Sequence, residues 1–328
     1  MLVDTTRTVA PQGVPATDQK GEFVRPASTF RNWITADGRP GPTGRGGFKA
    51  EAARYHLYCS LACPWASRTL MVRKLKRLDS LITVSITEPL STKQGWRFGD
   101  YPGADRDTLN GATYLREIYM RADPHFTGRV TVPVLWDKQT KAIVNNESAD
   151  IVRMLNSAFA ALAEPSVDLY PEECRAEIDS WNERIYPNLN NGVYRAGFAT
   201  TQEAYDEAFH SVFAMLDELE THLVTRRFLV GERLTEADVR LFVTLIRFDV
   251  SYYGLFKCNL KRITDYPALS VYLRRMLEFS SIRETVNIDH IKRGYYTIKA
   301  LNPNGIVPLG PDLRPIGLAW AVPNPTTA

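Results

Sequence analysis

The sequence predicts an α/β domain followed by an all-α domain, with an irregular segment before the first and an extended tail after the second. Strand-like apolar runs alternate with helical spacing between residues 51 and 163, whereas strand signals nearly vanish after residue 164. A chain of 328 residues also exceeds the usual length of a single domain, roughly 100–200 residues. Two domains are therefore the expected arrangement.

The α/β domain is expected to span residues 51–163. Its apolar runs are short and rich in β-branched residues where strands are predicted, and they follow helical spacing where helices are predicted. A polar insertion, residues 88–115, interrupts the pattern after the second strand. The predicted elements are, in order, the strand RYHLYCS (54–60), the helix PWASRTLMVRKLKRL (64–78), the strand LITVSI (81–86), the strands VTVPVLWD (130–137) and KAIVNN (141–146), and the helix ESADIVRMLNSAF (147–159).

The all-α domain is expected to span residues 164–292. Its clearest helix start lies in GERLTEADV, where Thr235 is the predicted N-cap and Asp238 completes a capping box at the third helical position. Leu234 and Val239 flank this cap as a hydrophobic staple. The other segments with helical spacing are CRAEIDSWNERIYPNLNNGVYRAGF (174–198), AYDEAFHSVFAMLDELETHLV (204–224) and SVYLRRMLEFSSI (270–282).

Irregular segments are expected at both ends of the chain. Residues 1–50 are rich in Gly, Pro and polar residues, and residues 293–328 form a Pro- and Gly-rich tail that is expected to pack on the body. The glycines of GPTGRGG (41–47) have the composition of a phosphate-binding loop, but no strand precedes them and no lysine stands at the required position. A phosphate-binding loop is therefore disfavoured.

Charge and cysteine content exclude several classes of protein. The 40 basic and 37 acidic residues leave a formal net charge of only +3, so neither nucleic acid nor a membrane is an expected partner. Four cysteines, Cys59, Cys63, Cys174 and Cys258, are too few for a secreted disulfide scaffold of this size, and all but Cys63 are expected to be inert. The first residues lack an apolar signal segment, so a cytoplasmic location is expected.

The segment YCSLACPWASR (58–68) contains the most informative residue, Cys63. Pro64 follows it at the predicted first position of a helix, so the thiol lies where unpaired N–H groups and the helix dipole favour a thiolate. We therefore expect a lowered pKa for Cys63 and a nucleophilic sulfur. A C-x-x-C pair is excluded, because alanine stands three residues later. A disulfide with Cys59, a metal site with His56 and Cys59, and an inert buried thiol stay open as alternatives.

A single reactive thiol that has formed a mixed disulfide needs a second thiol to reset it, and glutathione is the natural candidate in a reducing compartment. Two segments are candidates for its binding site. In TVP, a cis Pro133 would aim the backbone of Val132 at a peptide ligand, although an ordinary edge-strand proline also fits. In NNES, Ser148 is the predicted N-cap with a hydroxyl for a carboxylate, and Glu147 is a partner for an ammonium; capping alone would also explain Ser148.

These segments resemble the glutathione transferases in their order: CPWA, TVP, ES at a helix start, and LTEADV in a helical domain. Longer stretches are similar to the xi class, the glutathionyl-hydroquinone reductases, and the similarity runs from about residue 30 to residue 313. It implies a thioredoxin-like N-terminal domain, an all-α C-terminal domain and a homodimer. The stretches are WITADGRPGPTGRGGFKAEAARYHLYCSLACPWASR, RVTVPVLWD, NNESADI, FDVSYYGLFKCN, HIKRGYY and LNPNGIVPLGP.

The resemblance implies that Cys63 is the nucleophile and that glutathione is the co-substrate, with no metal. Trp96, in the polar insertion, is implied to stack against glutathione. The residues implied to hold the backbone, the carboxylate and the γ-glutamyl end of glutathione are Arg129, Val130, Thr131, Val132, Glu147 and Ser148.

Three tyrosines of the all-α domain are implied by the resemblance to serve the second substrate, an aromatic conjugate of glutathione. Tyr194 is the implied proton donor. Tyr252 and Tyr295 are implied to complete the aromatic pocket and to favour the thiolate of the nucleophile. Each of these two has an adjacent tyrosine, so Tyr253 and Tyr296 stay open as alternatives for the pocket positions.

The implied activity is the glutathione-dependent reduction of glutathionyl-hydroquinones to hydroquinones. Cys63 would form a mixed disulfide with the glutathione of the substrate, and a second glutathione would release it as oxidised glutathione. Three other functions stay open: deglutathionylation of small disulfides or proteins, conjugation of glutathione to an acceptor, and a non-catalytic binding protein that reuses the fold.

Overall fold

The computed structural model describes residues 16–90, 92–164 and 166–318. The chain divides into two compact units. Among the described residues, the first unit comprises residues 27–164, and the second comprises residues 166–318 together with the short segment 16–26.

The first unit is a four-stranded mixed sheet with three helices, which confirms the predicted α/β class. The strands lie in the order β2, β1, β3, β4; β1 pairs parallel with β2 and antiparallel with β3, which pairs antiparallel with β4. Helices α1 and α3 pack together. The elements are β1 (Tyr55–Cys59), α1 (Pro64–Leu75), β2 (Ile82–Ile86), α2 (Leu115–Ala122), β3 (Val134–Asp137), β4 (Ala142–Asn145) and α3 (Ser148–Ser157).

The strands follow the predicted positions, with one correction. Every residue of β1 is buried, as expected of a central strand whose two faces are both covered. The strand predicted over residues 130–137 begins only at Val134. The peptide bond between Val132 and Pro133 is cis, which was one of the two possibilities that the sequence left open, and a proline has no N–H to give to a strand ladder. Residues 130–133 therefore form a separate loop that leads into β3.

Helix α2 was not predicted. It has eight residues, LREIYMRA, and buries Leu115, Ile118 and Tyr119, which lie on one helix face at spacings of three and four. A pattern of fewer than three turns at the end of a polar insertion is hard to distinguish from loop. The helix matters because Tyr119 lies on its buried face.

The second unit is helical, and from residue 166 to residue 318 the structure contains no strand, which confirms the all-α prediction. None of the described helices is both long and apolar enough to cross a membrane. Single π-helical turns follow α4 and α7, at Tyr186–Asn190 and Phe248–Tyr252. The helices are α4 (Arg175–Ile185), α5 (Gly192–Gly197), α6 (Gln202–Leu223), α7 (Glu236–Arg247), α8 (Pro267–Glu278), α9 (Ser280–Arg283) and α10 (Ile288–Tyr296).

The capping box at the start of α7 is present as predicted. The backbone N–H of Thr235 donates to Asp238 Oδ2 at 2.9 Å, and Leu229 N–H donates to Oδ1 of the same carboxylate at 2.9 Å. Leu234 and Val239, the predicted staple, are both buried. Burial raises the pKa of Asp238 to about 6, and its carboxylate accepts from four groups, the N–H of Leu229 and Thr235 and the hydroxyls of Thr235 and Tyr272.

The segments at the two ends of the described chain pack on the unit to which each belongs. Asn32 N–H donates to Val144 O at 3.0 Å, so the lead-in runs beside the outer edge of β4. In the tail, Leu313 and Ile316 are buried, and Lys292 Nζ on α10 donates to the carbonyl of Leu309 at 2.8 Å. These contacts hold both segments in place, with isolated β-bridges in the lead-in and a short 3-10 helix, Arg314–Ile316, in the tail.

His56 makes the stability of the first unit depend on pH. Its ring is buried on β1, with Nδ1 2.7 Å from Thr83 Oγ1 and Nε2 3.1 Å from Ser85 Oγ, and burial lowers its pKa from 6.5 to about 4. The folded state thus favours the neutral imidazole of His56. The contribution of this residue to the free energy of unfolding is lost as pH falls from 6.5 towards 4. The loss in unfolding free energy should reach about 3 kcal/mol below pH 4.

Denaturant unfolding between pH 7 and pH 4 measures this loss. His56→Gln should reduce the difference in unfolding free energy between the two pH values by about 3 kcal/mol. His125→Gln, at an exposed histidine of the same unit, should leave the difference unchanged. Equal pH dependence in the two variants would show that His56 is not the group responsible.

Candidate active site

Cys63 lies at the N-cap of α1, immediately after the turn that ends β1. Its backbone is extended, with φ −82° and ψ 122°, and Pro64 occupies the first helical turn. The side chain is half-buried, and its Sγ lies 3.7 Å from the carbonyl oxygen of Val132, before the cis proline. The sulfur is therefore placed at the positive end of the α1 dipole, where an anion is stabilised.

The other cysteines differ from Cys63 in their surroundings. Cys59 is fully buried, 3.6 Å from Thr69 Oγ1, and burial raises the pKa of its thiol to about 12. Cys258 is also buried, with its pKa raised to about 12 for the same reason. Cys174 is half-buried, and all four cysteines are free thiols. Cys59 and Cys258 stay protonated at neutral pH, which removes their nucleophilicity.

The loop before β3 is braced by the hydroxyl of Tyr119. This hydroxyl donates to Thr131 O at 2.8 Å and accepts from Thr131 N–H at 3.2 Å. Val130 and Val132 are buried on either side, whereas Arg129 is exposed. The main chain of this loop, next to the Cys63 sulfur, is thus held in one conformation.

The start of α3 differs from the prediction in one respect: the N-cap is Glu147, not Ser148. Glu147 has an extended backbone, with φ −100° and ψ 115°, and its Oε1 accepts from Ala149 N–H at 3.1 Å. Ser148 is already the first helical residue, so its own hydroxyl no longer projects towards the free N–H groups. The second carboxylate oxygen of Glu147 accepts from Ser28 Oγ at 2.9 Å, which links the lead-in to this helix start.

Tyr119 connects the two predicted glutathione-binding segments, and the sequence analysis missed it. Besides its bonds to Thr131, its hydroxyl accepts from Asn146 Nδ2 at 3.1 Å. Asn146 in turn accepts from Phe30 N–H at 3.1 Å. Burial raises the pKa of Tyr119, so the hydroxyl stays protonated and able to donate. Only the buried face of α2 pointed to this residue, since its partners are remote in sequence.

Trp96 lies half-buried in the polar insertion, 19 residues before the first residue of α2. Its carbonyl accepts from Leu115 N–H at 2.9 Å, the first residue of that helix. The neighbouring Arg97 pairs with Glu88 at 3.5 Å. The indole is therefore carried by a loop that is tied to α2 through its main chain.

In the second unit, the structure brings together Tyr194, Tyr252 and Tyr295, which we call the tyrosine triad. The hydroxyl of Tyr295 lies 2.6 Å from that of Tyr194 and 2.8 Å from that of Tyr252. Tyr253 and Tyr296, the adjacent alternatives, are half-exposed. The central position of Tyr295 joins the three hydroxyls into one hydrogen-bonded chain.

Packing and charge set the properties of the tyrosine triad. Burial raises the pKa of both Tyr252 and Tyr295 well above the usual value for tyrosine, and negative charge on Tyr194 raises each further. The ring of Phe256 packs against all three, with centroids 5.2–5.6 Å apart. Gly197 is required beside Phe256, since a Cβ there would lie 2.3 Å from the Phe256 ring. Because Tyr252 and Tyr295 are more deeply buried than Tyr194, a negative charge within the tyrosine triad is most favourable on Tyr194.

Comparison with known proteins identifies the family. The chain matches the glutathione S-transferase N-terminal domain over residues 62–158 and the C-terminal domain over residues 202–275. It is 55% identical to the glutathionyl-hydroquinone reductase YqjG of Escherichia coli K12 over 293 residues, 89% of each chain. The crystal structure of glutathione transferase Xi from Phanerochaete chrysosporium superposes with a TM-score of 0.84 at 47% identity, covering 88% of this chain and 97% of that one. The chain belongs to the xi-class glutathione transferases.

Two further similarities agree with the assignment of this chain to the xi-class glutathione transferases. The glutathionyl-hydroquinone reductase PcpF of Sphingobium chlorophenolicum is 51% identical over 294 residues, 89% of this chain and 90% of that protein. The glutathione-bound structure of YqjG superposes with a TM-score of 0.85 at 53% identity, covering 91% of this chain and 96% of that one. The thioredoxin-like N-terminal domain and the all-α C-terminal domain predicted from the sequence are thus confirmed.

Proposed function

We propose that this xi-class transferase is an enzyme that reduces glutathionyl-hydroquinones to hydroquinones, with glutathione as the reductant. The observation that carries the proposal is the half-exposed thiol of Cys63 at the N-terminus of α1, 3.7 Å from Val132 O. A serine or tyrosine at that point would only activate glutathione by a hydrogen bond, whereas a cysteine can bond to its sulfur. The chain's similarity to two glutathionyl-hydroquinone reductases points to the same chemistry.

In the proposed glutathione site, the ligand binds along the loop before β3 and at the start of α3. The main chain around Val132 pairs with the cysteinyl part of glutathione, and the N-terminal N–H groups of α3 donate to a carboxylate of the ligand. The indole of Trp96 stacks on the tripeptide. The site residues in this proposal are Trp96, Arg129, Val130, Thr131, Val132, Glu147 and Ser148.

In the first half-reaction, the thiolate of Cys63 attacks the sulfur of the glutathionyl substituent. A sulfur–sulfur bond forms, the bond between sulfur and the ring carbon breaks, and its electron pair stays on the ring carbon. That carbon takes a proton from Tyr194, which yields the hydroquinone. The ring is reduced and the two sulfurs are oxidised to the mixed disulfide. Tyr194 regains its proton from solvent.

In the second half-reaction, the thiolate of a free glutathione attacks the glutathione sulfur of the mixed disulfide. Oxidised glutathione leaves, and Cys63 is restored as a thiolate. The hydroquinone has left by then, so the two substrates never need to be bound together. Reactions that proceed through such a covalent intermediate show ping-pong kinetics.

Initial-rate measurements test this proposal. With a glutathionyl-hydroquinone as substrate, double-reciprocal plots at several glutathione concentrations should be parallel, and hydroquinone and oxidised glutathione should form in equal amounts. Competition with a small glutathione disulfide tests the deglutathionylase alternative, and a chloro-nitroaromatic acceptor tests the conjugating alternative. Intersecting lines, or faster turnover of either competitor, would contradict the reductase assignment.

Tyr119→Phe should raise the KM for glutathione about fivefold or more, because the hydroxyl makes three hydrogen bonds and the loss of even one neutral bond costs about 1 kcal/mol. The hydroxyl is the brace between the Thr131 main chain and Asn146, so its removal loosens both proposed glutathione-binding segments. Glutathione saturation curves measure the change. Tyr205→Phe is the matched control: its hydroxyl also donates to a carbonyl, that of Lys257, but at an exposed site. An unchanged KM in Tyr119→Phe would mean that the brace does not position the ligand.

We also propose a homodimer, as the resemblance implies, and a cytoplasmic location, as the cysteine content and the first residues of the sequence suggested. Light scattering on the eluate of a size-exclusion column would give the mass of the particle in solution. A monomer mass of 37.1 kDa would contradict the expectation.

A further inference from the structure

A short N-terminal segment, residues 16–25, packs on the second unit beside the tyrosine triad. Thr200 N–H donates to Gly21 O at 3.0 Å, and Thr201 Oγ1 donates to Lys20 O at 2.8 Å. Gly21 has φ +83°, and a Cβ there would lie 2.7 Å from Thr200 Oγ1. The segment is therefore closely fitted to the junction between α5 and α6, where only glycine allows both the turn and the close approach.

This segment places Arg25 on the face of Tyr194. The guanidinium carbon lies 4.8 Å from the centroid of the Tyr194 ring and 5.1 Å from that of Phe23. Arg25 Nε donates to Asn191 Oδ1 at 2.8 Å, one turn before Tyr194 along the chain. The cation is thus held over the ring by a hydrogen bond to the same element that carries the tyrosine.

Besides Arg25, which is stacked on the Tyr194 ring, other charged groups lie near this tyrosine. Arg195, the next residue, pairs with two carboxylates, so its charge is compensated. Arg247 is buried at the end of α7 and lowers the pKa of Tyr252 and Tyr295, against the larger effect of burial. Charged and titratable groups around Tyr194 include Glu22, Arg25, Arg195, Glu207, Arg247, Tyr252 and Tyr295, and α10, which carries Tyr295, also bears Asp289, His290, Lys292 and Arg293.

We propose that Arg25 is a positioning residue for proton donation, whose cation stabilises the phenolate that Tyr194 becomes when its proton has passed to the substrate. The proposal rests on the proposed role of Tyr194 as donor. A cation over an aromatic face is attracted by the neutral ring and more strongly by a ring that carries a full negative charge. Because the attraction to the charged ring is the stronger of the two, Arg25 stabilises the state after proton transfer more than the state before it. The Tyr295 hydroxyl, 2.6 Å away, donates to the same phenolate oxygen. Segment 16–25 therefore carries one residue, Arg25, that acts on the proposed proton donor.

Replacing Arg25 by an uncharged residue of similar length tests the proposal. Arg25→Met should slow the first half-reaction about tenfold and move the alkaline limb of its pH profile up by about one pH unit, since the phenolate loses its cation. The second half-reaction, started from the purified mixed disulfide with glutathione, should be unchanged because it needs no proton from Tyr194. Arg25→Lys should recover most of the rate. Lys20→Met removes a positive charge from an exposed position of the same segment and should have no effect.

A double-variant cycle separates this role from a structural one. In a Tyr194→Phe background no phenolate forms, so Arg25→Met should cause no further loss in the first half-reaction. The same tenfold loss in that background, or a loss without a shift of the alkaline limb, would overturn the proposal. An unchanged rate in Arg25→Met alone would also overturn it. If Tyr194→Phe itself is fully active, the proposed proton donor is wrong and the role of Arg25 falls with it, a result distinguishable from the failure of Arg25 alone.

Discussion

Cys63→Ser should lose the reductase activity by about a thousandfold or more, because a serine hydroxyl cannot form a disulfide with glutathione. The loss should affect kcat rather than the binding of glutathione, since the N-cap position and the adjoining loop do not depend on the sulfur. Turnover of a glutathionyl-hydroquinone, followed by separation of the hydroquinone, measures the effect.

Cys174→Ser provides the matched control for this variant. Cys174 is the other half-buried free thiol, and its replacement should leave turnover unchanged. The serine variant at Cys63 should also be tested on a chloro-nitroaromatic acceptor, where a hydroxyl that activates bound glutathione would raise conjugation. Retention of the reductase activity in Cys63→Ser would place the nucleophile elsewhere.

Tyr194→Phe should slow the first half-reaction about a hundredfold, because positioned proton donors contribute roughly 10²–10⁴-fold. Phenylalanine keeps the ring that packs against Phe256 and the face presented to Arg25, and it removes the hydroxyl with its proton and its hydrogen bond to Tyr295. Single-turnover formation of hydroquinone, without free glutathione, isolates this step.

Two comparisons make the Tyr194 result specific. Release of glutathione from the preformed mixed disulfide should be as fast in Tyr194→Phe as in the wild type, since that step transfers no proton to a ring carbon. Tyr253→Phe, next to the triad but half-exposed, should retain full activity in both steps. A larger loss in Tyr253→Phe than in Tyr194→Phe would mean that the proton donor has been misassigned.

The elements that the sequence predicts well are those with strong local signals. Strand β1 and helix α1 follow from a buried apolar run, a cysteine and a proline at the helix start. The start of α7 follows from its capping box, in which side chains satisfy N–H groups three residues apart. In each case the interaction that fixes the element lies within a few residues of it, so the sequence alone contains the reason.

The features that were missed depend on contacts between distant residues. Ser148 and Glu147 are both able to cap α3, and the choice of Glu147 is coupled to a bond from Ser28 in the lead-in. Tyr119 lies on a short helix, and Asn146, one of the residues that its hydroxyl holds in place, is 27 residues away in the sequence. Local spacing carries no information on either contact.

The aromatic site shows the same limit. The family resemblance named three tyrosines but left their neighbours as alternatives, and the hydrogen bonds now join Tyr194, Tyr295 and Tyr252. Arg25 could not be chosen from the sequence, because its partner on α5 is more than 160 residues away in a chain with many arginines. The helix start pointed to Cys63 as the candidate nucleophile, whereas Arg25 could be found only in the folded chain.

The central claim is that Cys63 takes the glutathionyl group from its substrate, and the mass of the intact protein tests it most directly. The purified enzyme is mixed with a glutathionyl-hydroquinone while free glutathione is withheld. The account predicts a mass increase of one glutathionyl group on Cys63, one equivalent of released hydroquinone, and reversal of the mass change when glutathione is added. An unchanged mass, with Cys63 still open to alkylation, would contradict the reductase mechanism.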